Sequence, residues 1–449
     1  MSDKEANDYR EQRLANMREL EKLGHEPYGG TFERTADVSG IKGEFEEGVK
    51  VKAAGRLMTV RDMGKSVFAD IRDGSERLQV YARGKQLGDD DFKAFKLLDI
   101  GDLIGVEGEL FTTRTGEKTL SIEKWYLLAK SLLVLPEKWH GLKDVEARYR
   151  QRYLDLITNQ EVREFFNKRT MAIRRIREYL YEQGFQEVET PMMQAQAGGA
   201  AAKPFVTRYG ALDSDMYLRV APELYLKRLL VGGFDKVFEL NRSFRNEGLS
   251  RSHNPEFTML EIYQAYTDVR EMKKLVEGLI TDVARNVFGG LESTVGEEKI
   301  DLNLPWREVP YKDLVMERMG EDWYDIDRDE AAGRAEAEGL TVEAEWDMLM
   351  ITHEVYEKLV EKTLINPTFV TRLPADLIPL AKCCDDDSSL ADVFELVIAG
   401  KEIAPAYTEM NDPLEQKKRF ARQAGKDTEK IDEDFITALE HGMPPAGGM

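Results

Sequence analysis

The sequence predicts an α+β protein with a small antiparallel β-barrel, followed by a larger domain in which helices flank an antiparallel sheet. Between residues 51 and 130, five short strand-like runs are separated by turns that contain glycine, which is typical of a small closed barrel. From residue 156 onward, helical segments alternate with strand-like runs, and this favours a sheet covered by helices. The chain has 449 residues, 42% of them hydrophobic and 33% charged, which is enough for two or three domains with sizeable cores.

Composition and charge exclude several classes of protein. No run of about 18 apolar residues is present, so no helix is expected to span a membrane. The first segment, "MSDKEANDYREQRLANMREL", is charged throughout and lacks the apolar core of a secretory signal. Cys383 and Cys384 are adjacent and cannot build a disulfide framework or a zinc site, so a soluble, cytoplasmic protein is expected. The net charge of −21 argues against non-specific coating of nucleic acid, although a locally basic face can still bind it.

Residues 1–50 are predicted to form an N-terminal helix and a lead-in without clear periodicity. Apolar side chains recur every three or four positions before Gly24, at Leu14, Met17, Leu20 and Leu23. This spacing is typical of an amphipathic helix, and the glycine favours a helix end at that point.

Residues 51–130 are predicted to form the barrel. Its five runs are "VKAAGRLMTVRDMG", "KSVFADIRDG", "ERLQVYARG", "DLIGVEGELFTTRTGE" and "KTLSIEKWYLLAK". The OB-fold is the commonest five-stranded candidate, and OB-folds often bind single-stranded nucleic acid through aromatic and basic side chains on the barrel face. Phe68, Gln79 and Phe111 are the candidates for this role. The alternative is that these side chains only pack the barrel wall.

Residues 131–155 are predicted to be a linker and residues 156–449 the sheet domain. "EVREFFNKRTMAIRRIREYLYEQG" predicts a helix that ends at Gly184, with an apolar stripe made of Val162, Phe165, Phe166, Ile173, Ile176 and Leu180. The strand-like runs that follow are "FQEVETPMM", "DMYLRVA", "DKVFELNRSF" and "EFTMLEIYQAY". A helix is predicted to begin at Pro222. Residues 309–365 are acidic and helical in pattern, which predicts a peripheral insertion.

The segment "SFRNEGLSRSHNPEFTMLEIY" (243–263) combines arginines, glutamates and aromatic residues. If 256–263 is a strand, alternation places Glu261 on the same face as Phe257 and Tyr263, and a buried carboxylate there needs a cation or water. Arg245 precedes this strand on a loop, and its guanidinium suits a carboxylate or a phosphate. The phenylalanine ring offers a surface for a base. These residues predict a nucleotide site with an anion clamp, and a structural ion-pair network is the alternative.

The segment "DVFELVIAGKEIAPAYTEMND" (392–412) places Glu395, Glu402 and Glu409 at intervals of seven residues. Mg²⁺ is often held by a pair of carboxylates together with substrate phosphates, and Glu395 and Glu402 are candidates for such a pair. A solvated strand face is the alternative. Tyr407 and Glu409 share strand parity, so Glu409 is expected to enter the same cavity as Glu261.

Several segments, in order along nearly the whole chain, resemble the class II aminoacyl-tRNA synthetases and in particular the bacterial lysyl type. "GFQEVETPMM" (184–193), with Pro191, resembles the first motif of the class, and "FRNEGLSRSHNPEF" (244–257) resembles the second. The lysyl type is indicated by "ARYRQRYLDL", "GGAAAKPF", "RVAPELYLKRL" and, in the barrel, "MGK" at 63–65.

The resemblance implies ATP-dependent lysine–tRNA ligation, in which lysyl-adenylate forms and lysine then passes to the 3′-end of tRNA(Lys). Arg245 would contact the α-phosphate as the catalytic residue. The other implied ATP-binding residues are Glu247, His253, Asn254 and Phe257. Glu395 and Glu402 would hold Mg²⁺. The barrel would read the anticodon through Phe68, Gln79 and Phe111.

The resemblance also implies a pocket for L-lysine and a homodimer formed through the first motif. The implied pocket residues are Gly199, Glu223, Arg245, Glu261, Tyr263, Tyr407 and Glu409. Three carboxylates suit a substrate with two ammonium groups better than they suit aspartate or asparagine.

The sequence departs from the family at three places. It ends at "HGMPPAGGM", before the strand and helix of the third motif, so the catalytic domain is expected to be C-terminally incomplete, with a hole in its sheet. Pro405 stands where asparagine is common, and Val393 stands where arginine is usual. Two alternatives to an active ligase follow: a truncated, non-catalytic tRNA-binding protein, and a ligase that attaches an amino acid to a protein.

Overall fold

The computed structural model divides the chain into two compact units, unit 1 (Met1–Phe165) and unit 2 (Phe166–Met449). The residues that it describes are 3–136, 142–196, 198–199, 202–248, 250, 253–424 and 432–449. Residues 137–141 of the predicted linker lie outside the described residues. The finer boundaries predicted at residues 50, 130 and 155 stay predictions.

Unit 1 contains the barrel that the sequence predicts. Its strands are β1 (Lys50–Asp62), β2 (Ser66–Arg72), β3 (Arg77–Arg83), β4 (Leu103–Thr112) and β5 (Lys118–Ala129). They close in the order β1-β2-β3-β5-β4, and only β3 and β5 pair in parallel. The helices that begin in this unit are α1 (Asp3–Lys22), α2 (Val38–Gly43), α3 (Gly84–Leu87), α4 (Asp89–Phe95), α5 (Val145–Arg150), α6 (Arg152–Thr158) and α7 (Gln160–Glu182).

Alternation along the strands fills the barrel and decides which side chains stay outside. In β2, Val67, Ala69 and Ile71 are buried in the barrel core, so Phe68 points to the other side of the sheet. Helix α1 adds Leu20 to the same core and is followed by Gly24 in a left-handed conformation (φ +88°). The predicted N-terminal helix is confirmed.

Unit 2 is built on an eight-stranded sheet in which five of the seven strand pairings are antiparallel. The two pairings at its ends, β14–β15 and β10–β6, are parallel. Its strands, in spatial order, are β14 (Arg307–Pro310), β15 (Thr368–Thr371), β16 (Val393–Ile398), β17 (Lys401–Thr408), β18 (Ala446–Gly448), β11 (Glu256–Ala265), β10 (Lys236–Phe244) and β6 (Gln186–Glu187). The expected hole in the sheet is wrong, because β18 pairs with β17 on one side and β11 on the other.

Two predicted strands differ from the structure. "FQEVETPMM" is split into β6 and β7 (Met193–Gln194), since Pro191 lies between them and cannot donate a backbone hydrogen bond. "DMYLRVA" gives β9 (Ser214–Leu218), which joins β7 and β8 (Val206–Tyr209) in a separate three-stranded sheet. β12 (Glu292–Val295) and β13 (Glu298–Asp301) form a two-stranded sheet.

Helices cover the large sheet. They are α8 (Glu223–Val231), α9 (Val269–Val283), α10 (Tyr311–Met319), α11 (Arg328–Ala337), α12 (Met348–Val355), α13 (Pro413–Ala424) and α14 (Glu433–Glu440). Helix α8 begins directly after Pro222, as predicted. No helix in the described ranges has the length and apolarity needed to cross a bilayer.

The predicted apolar stripe of α7 is only partly buried. Leu180 is buried together with Phe185 and Phe238, whereas Phe165 is 64% and Phe166 36% exposed. The C-terminal half of α7 packs on the core, and its N-terminal half presents apolar side chains to solvent. The predicted stripe therefore covers both buried and exposed side chains.

The sequence predicted that the segment 309–365 forms a peripheral insertion, but the structure shows that it shares a core with the large sheet. Trp323, Ala331 and Tyr356 are buried in a core that includes Val393 and Val397 of the large sheet. The acidic residues of this segment lie on its outer surface, and this made the whole segment look solvated in the sequence.

Candidate active site

The hairpin of β10 and β11 positions Arg245 beside Phe257. Arg245 follows the end of β10, and its backbone N–H donates to the Pro255 carbonyl (2.9 Å), which closes the loop across the two strands. The guanidinium carbon lies 5.3 Å from the centre of the Phe257 ring. Its buried Nε has no hydrogen-bond partner among the described residues. A guanidinium with a free donor next to an aromatic face can clamp an anion below a stacked ring.

The remaining nucleotide candidates lie in the exposed loop between these strands. Glu247, His253 and Asn254 are all exposed. The His253 backbone N–H donates to Ser250 Oγ (3.0 Å), and the same hydroxyl lies 2.7 Å from His253 Nδ1. Ser252 of the same loop lies outside the described residues.

Three glutamates from different elements converge on one acidic pocket. Glu223 begins α8, Glu261 lies on β11, and Glu409 directly follows β17; all three are buried. The Tyr263 hydroxyl donates to Glu261 Oε2 (3.1 Å). Burial, followed by the charges of Glu223 and Glu409, raises the pKa of Glu261 well above its ordinary value. That Glu261 and Glu409 share one binding cavity stays a prediction.

A lysine that the sequence did not single out joins two of these glutamates. Lys227 is fully buried on α8, and its Nζ lies 2.7 Å from Glu223 Oε1 and in direct contact with Glu409 Oε2. It also donates to the Leu380 carbonyl (3.4 Å). The signal was present in "APELYLKRL", because residues four apart on a helix lie on the same face.

Burial and charge act in opposite directions on this cluster. Burial alone lowers the pKa of the Lys227 ammonium, but Glu223 and Glu409 outweigh it and raise that pKa above its ordinary value. Burial raises the pKa of Glu409, Glu223 raises it further, and Lys227 opposes both. Three carboxyl groups thus share one ammonium, so the pocket is short of positive charge.

Glu239 is a fourth buried glutamate, but it is paired with Arg219 and is not part of the acidic pocket. Glu239 lies opposite Glu261 in the β10–β11 register and is 1% exposed. Arg219 Nη1 donates to Glu239 Oε1 (2.7 Å), and Thr190 Oγ1 donates to Glu239 Oε2 (2.6 Å). Glu239 is therefore neutralised by its own partner, and no pattern in the sequence predicted this pair.

Two glycines next to the acidic pocket lack Cβ atoms that would crowd its side chains. Gly199 has φ +88°, and a Cβ there would lie 3.3 Å from Glu223 Cβ. A Cβ on Gly448 would lie 2.0 Å from Glu409 Oε1 and 2.5 Å from Tyr263 Cε1. Gly199 was expected from the sequence, whereas Gly448 was missed because its role depends on how β18 inserts into the sheet.

Glu395 and Glu402 form a second acidic group on β16 and β17. The Tyr356 hydroxyl donates to Glu395 Oε2 (3.3 Å). Burial, followed by the charge of Glu402, raises the pKa of Glu395 to about 8. The Glu402 residue is exposed to solvent. The alternative of a solvated strand face therefore holds for one of these two glutamates. The pKa of Glu402 is raised by burial and then by Glu361, while Arg245 lowers it.

These two carboxylates suit a cation that is shared with a substrate. Neither forms an ion pair with a basic side chain in the described part of the chain, and their mutual repulsion is relieved when a cation lies between them. Within the same residues, no group of three or more acidic, histidine or cysteine side chains is placed to hold a metal alone. A Mg²⁺ ion bound by two carboxylates and by substrate phosphates fits this donor set.

Tyr407 lies between the two acidic groups. It is opposite Val393 on one side and Gly448 on the other in the sheet. Burial, then Glu223 and then Glu402, raises its pKa well above the ordinary value. Tyr407 therefore links the acidic pocket to the carboxylate pair beside Arg245.

Val393 and Pro405, which depart from the family pattern, lie on the neighbouring strands β16 and β17. Val393 is 3% exposed and packs in the core with Tyr356 and Val370. Pro405 lies opposite Glu395 in the β16–β17 register. Neither supplies a polar side chain to the site.

The barrel of unit 1 carries a separate aromatic surface. The rings of Phe68 and Tyr81 stack with their centres 4.3 Å apart, and the Phe111 ring lies 5.9 Å from that of Tyr81. Arg83 lies over the other side of Tyr81, at 5.0 Å. Gln79 is buried and accepts a hydrogen bond from Thr119 Oγ1 (2.9 Å). Tyr81 was missed, although it has the same strand parity as Gln79.

Comparisons with known proteins agree with this geometry. The family model for class II tRNA synthetases (D, K and N) matches residues 144–449, and the model for the OB-fold nucleic acid binding domain matches residues 51–128. The lysine–tRNA ligase of Carboxydothermus hydrogenoformans is 51% identical over 100% of this chain and 94% of its own length. Those of Syntrophomonas wolfei and Staphylococcus epidermidis are 49% and 45% identical, over 93% and 94% of their lengths. The chain belongs to the class II aminoacyl-tRNA synthetases, within the lysine–tRNA ligase family.

Proposed function

We propose that this chain is an ATP-dependent lysine–tRNA ligase. It joins L-lysine to ATP to give lysyl-adenylate and pyrophosphate, and then passes the lysyl group to the 3′-end of tRNA(Lys). The observation that carries this proposal is the buried pocket of Glu223, Glu261 and Glu409, next to a hairpin that presents an unpaired guanidinium.

The acidic pocket selects lysine by charge. A substrate with two ammonium groups supplies the positive charge that the three glutamates lack. Glu261, held by the Tyr263 hydroxyl, and the pair Glu223 and Glu409 accept these ammonium groups. Norleucine leaves the carboxylates unpaired and should be rejected by a factor on the order of 10⁴. Ornithine differs by one methylene, worth roughly 1–3 kcal/mol, and should be rejected less well.

Arg245 and Phe257 bind ATP. The lysine carboxylate then lies between the ATP and the acidic pocket. The guanidinium contacts the α-phosphate and the substrate carboxylate, so that the two reacting groups are held together. The ring of Phe257 stacks on adenine, and Glu247, His253 and Asn254 close around the base and phosphates from the loop. Catalysis here depends on positioning and on neutralised charge rather than on a protein nucleophile.

Glu395 and Glu402 would hold Mg²⁺ against the phosphates. The ion would supply charge neutralisation for the leaving pyrophosphate. The two glutamates orient it from β16 and β17, and the Tyr356 hydroxyl fixes one oxygen of Glu395. Both carboxyl groups must be ionised for this role, and a bound cation lowers their raised pKa values.

The barrel binds the anticodon of tRNA(Lys). Phe68, Tyr81 and Phe111 form a platform on which unpaired bases stack, and Gln79 lies at its edge. Stacking at such sites contributes about 1–3 kcal/mol per base.

Two copies of the chain assemble through the region of the first motif. Apolar side chains on α7 and the following segment face solvent: Met171 is 51%, Tyr181 52% and Met193 53% exposed. Exposed apolar side chains in this region are consistent with a protein interface. A cytoplasmic location follows from a role in protein synthesis.

Lysine-dependent exchange between ATP and pyrophosphate tests the proposal directly. The chain should catalyse exchange with lysine, weakly with ornithine, and not with norleucine. Binding of tRNA(Lys) without any exchange would contradict the proposal and favour the inert tRNA-binding protein. Transfer of lysine to a protein instead of tRNA would favour the third possibility.

A further inference from the structure

Lys227 is the only basic side chain in direct contact with the acidic pocket among the described residues. Its side chain is fully buried and bridges two carboxylates from distant parts of the sequence, Glu223 on α8 and Glu409 after β17. A buried ammonium of this kind is costly unless its partners are ionised. Its position inside the pocket, rather than at the back of a core, needs a reason.

The pocket has a definite charge when all its groups are ionised. Glu223, Glu261 and Glu409 together with Lys227 leave two negative charges, because Glu239 is already paired with Arg219. A lysine substrate brings two ammonium groups, while its carboxylate faces Arg245. The filled pocket is then electrically balanced, which a buried site requires. This step rests on the lysine-binding role proposed above.

We propose that Lys227 is a positioning residue that sets the charge of the lysine pocket. Its ammonium contacts both Glu223 and Glu409 and fixes them in place, so that both can accept the ammonium groups of the substrate. Without it, three neighbouring carboxyl groups would have to share the pocket with no positive charge.

The titratable groups of the pocket come from several elements, and Lys227 directly contacts Glu223 and Glu409 among them. Glu223 lies on the same helix, Glu261 and Tyr263 on β11, Tyr407 on β17, and Glu409 just after β17. Arg219 and Glu239 form a neutral pair behind β11. Among these groups, only Lys227 is a cation in contact with Glu223 and Glu409 in the described chain. Its removal takes away the charge that opposes the raised pKa of Glu409, so that this pKa should rise further.

The test compares Lys227→Met with the native protein in lysine-dependent ATP–pyrophosphate exchange at several pH values. The variant should have a lysine KM raised by at least about tenfold near neutral pH, because one carboxyl group becomes protonated and stops accepting an ammonium. The KM for ATP should change by less than about twofold. As the pH rises from about 6.5 to about 9, the carboxyl groups ionise again, and the ratio of lysine KM values should fall by roughly tenfold.

A matched control separates this effect from loss of a buried ion pair. Lys130 in unit 1 is also fully buried and also bridges two carboxylates, Asp99 (2.5 Å) and Asp102 (2.9 Å). Lys130→Met should reduce stability but leave the lysine KM, and its pH dependence, as in the native protein. If Lys227→Met does not fold, Lys227→Gln keeps hydrogen bonds without the charge and should give the same pH trend.

Two results would overturn the inference. A KM ratio that does not change with pH would mean that Lys227 only supports the fold, and an equal rise in KM for ATP would mean general damage to the site. Failure of the proposed function is a different outcome, because the native protein would then show no lysine-dependent exchange at all.

Discussion

Glu261 is 8% exposed, and among the described residues the Tyr263 hydroxyl donates a hydrogen bond to it. Burial, followed by the charges of neighbouring carboxyl groups, raises its pKa. A neighbouring ammonium group would stabilise the ionised form of the Glu261 carboxyl group, which burial disfavours. This unsatisfied state is the basis of the lysine-binding role proposed for Glu261.

Replacing Glu261 with glutamine should weaken lysine binding far more than ATP binding. The substitution keeps the shape but removes a charge-assisted hydrogen bond worth about 1.5–3 kcal/mol, so the lysine KM in pyrophosphate exchange should rise by roughly 10- to 100-fold. The KM for ATP should stay within about threefold of the native value.

Glu256→Gln is the matched control for this substitution. It lies on the same strand but is 56% exposed at its side chain, 3.5 Å from Arg242. It should leave both KM values unchanged. Equal losses for lysine and ATP in the Glu261→Gln variant would count against its place in the lysine pocket.

At the level of single residues, the sequence predicted the carboxylates better than their surroundings. Strand parity and motif position were enough to group Glu261 with Glu409. Lys227 could have been found from its helical spacing to Glu223. The roles of Gly448 and the Arg219–Glu239 pair could not, because each depends on contacts between strands that are remote in sequence.

The aromatic surface of the barrel is a property of neighbouring strands. Phe68 and Tyr81 are direct partners in the β2–β3 register, and β4 and β5 bring Phe111 alongside. Phe68→Ala should raise the KM for tRNA(Lys) by roughly 5- to 100-fold, through the loss of about 1–3 kcal/mol of base stacking. Exchange of pyrophosphate, which needs no tRNA, should stay near the native rate.

Tyr126→Ala is a suitable comparison. Tyr126 lies on β5, is 41% exposed, and contacts Phe32 rather than this platform. It should not change the KM for tRNA. A large loss of exchange activity in Phe68→Ala would instead assign this ring to folding.

Helices α7 and α9 are joined by an ion pair that depends on pH. Arg175 Nε lies 2.6 Å from Asp282 Oδ2, and Nη2 lies 3.1 Å from Oδ1. The hydrogen bond from Arg175 lowers the pKa of Asp282. A lowered pKa in the folded state adds stability above the unfolded pKa, and this stability is lost as the pH falls through the folded value.

Asp282→Asn should therefore lower the free energy of unfolding at neutral pH by about 1 kcal/mol, since solvent screens part of the interaction. Urea unfolding at about pH 7 and about pH 3 checks this: the difference from the native protein should shrink at the lower pH. Asp385→Asn, at an exposed position on the same unit, should have no effect at either pH. A difference that persists in acid would argue against the ion pair as its cause.

Among the elements, regular patterns were predictable and interrupted ones were not. All five barrel strands follow from alternation and glycine turns. "FQEVETPMM" was taken as one strand because its apolar pattern runs through Pro191, although proline ends the pairing there. "DMYLRVA" has a good strand pattern, but the pattern does not reveal that β9 pairs with β7 and β8 outside the large sheet.

The apolar side of α7 gives a prediction for the whole molecule. A homodimer through this surface should dissociate when a charge is placed on it, because a buried unpaired carboxylate costs several kcal/mol. Met171→Glu should shift the sedimentation coefficient from that of a dimer to that of a monomer at micromolar concentration. Met63→Glu, at a methionine that is 66% exposed in unit 1, should leave the dimer intact; a Met171→Glu protein that stays dimeric would place the interface elsewhere.

At the same scale, the sequence predicted an α+β chain with a barrel and an antiparallel sheet, and the structure agrees. It did not predict that residues 309–365 share a core with the large sheet. Charge on the outer surface of that segment dominates its composition, while the few large apolar residues that anchor it, such as Trp323, are too sparse to give a clear signal.

The three-residue strand β18 lies at the middle of the large sheet, and its Gly448 forms one wall of the acidic pocket. The residues around this pocket are therefore far apart in the sequence. Pairing between strands that are remote in sequence forms slowly during folding. During synthesis on the ribosome, the acidic pocket should stay open on one side until this late strand has been translated and inserted. The barrel strands, which lie earlier in the sequence, are made long before this pocket can close.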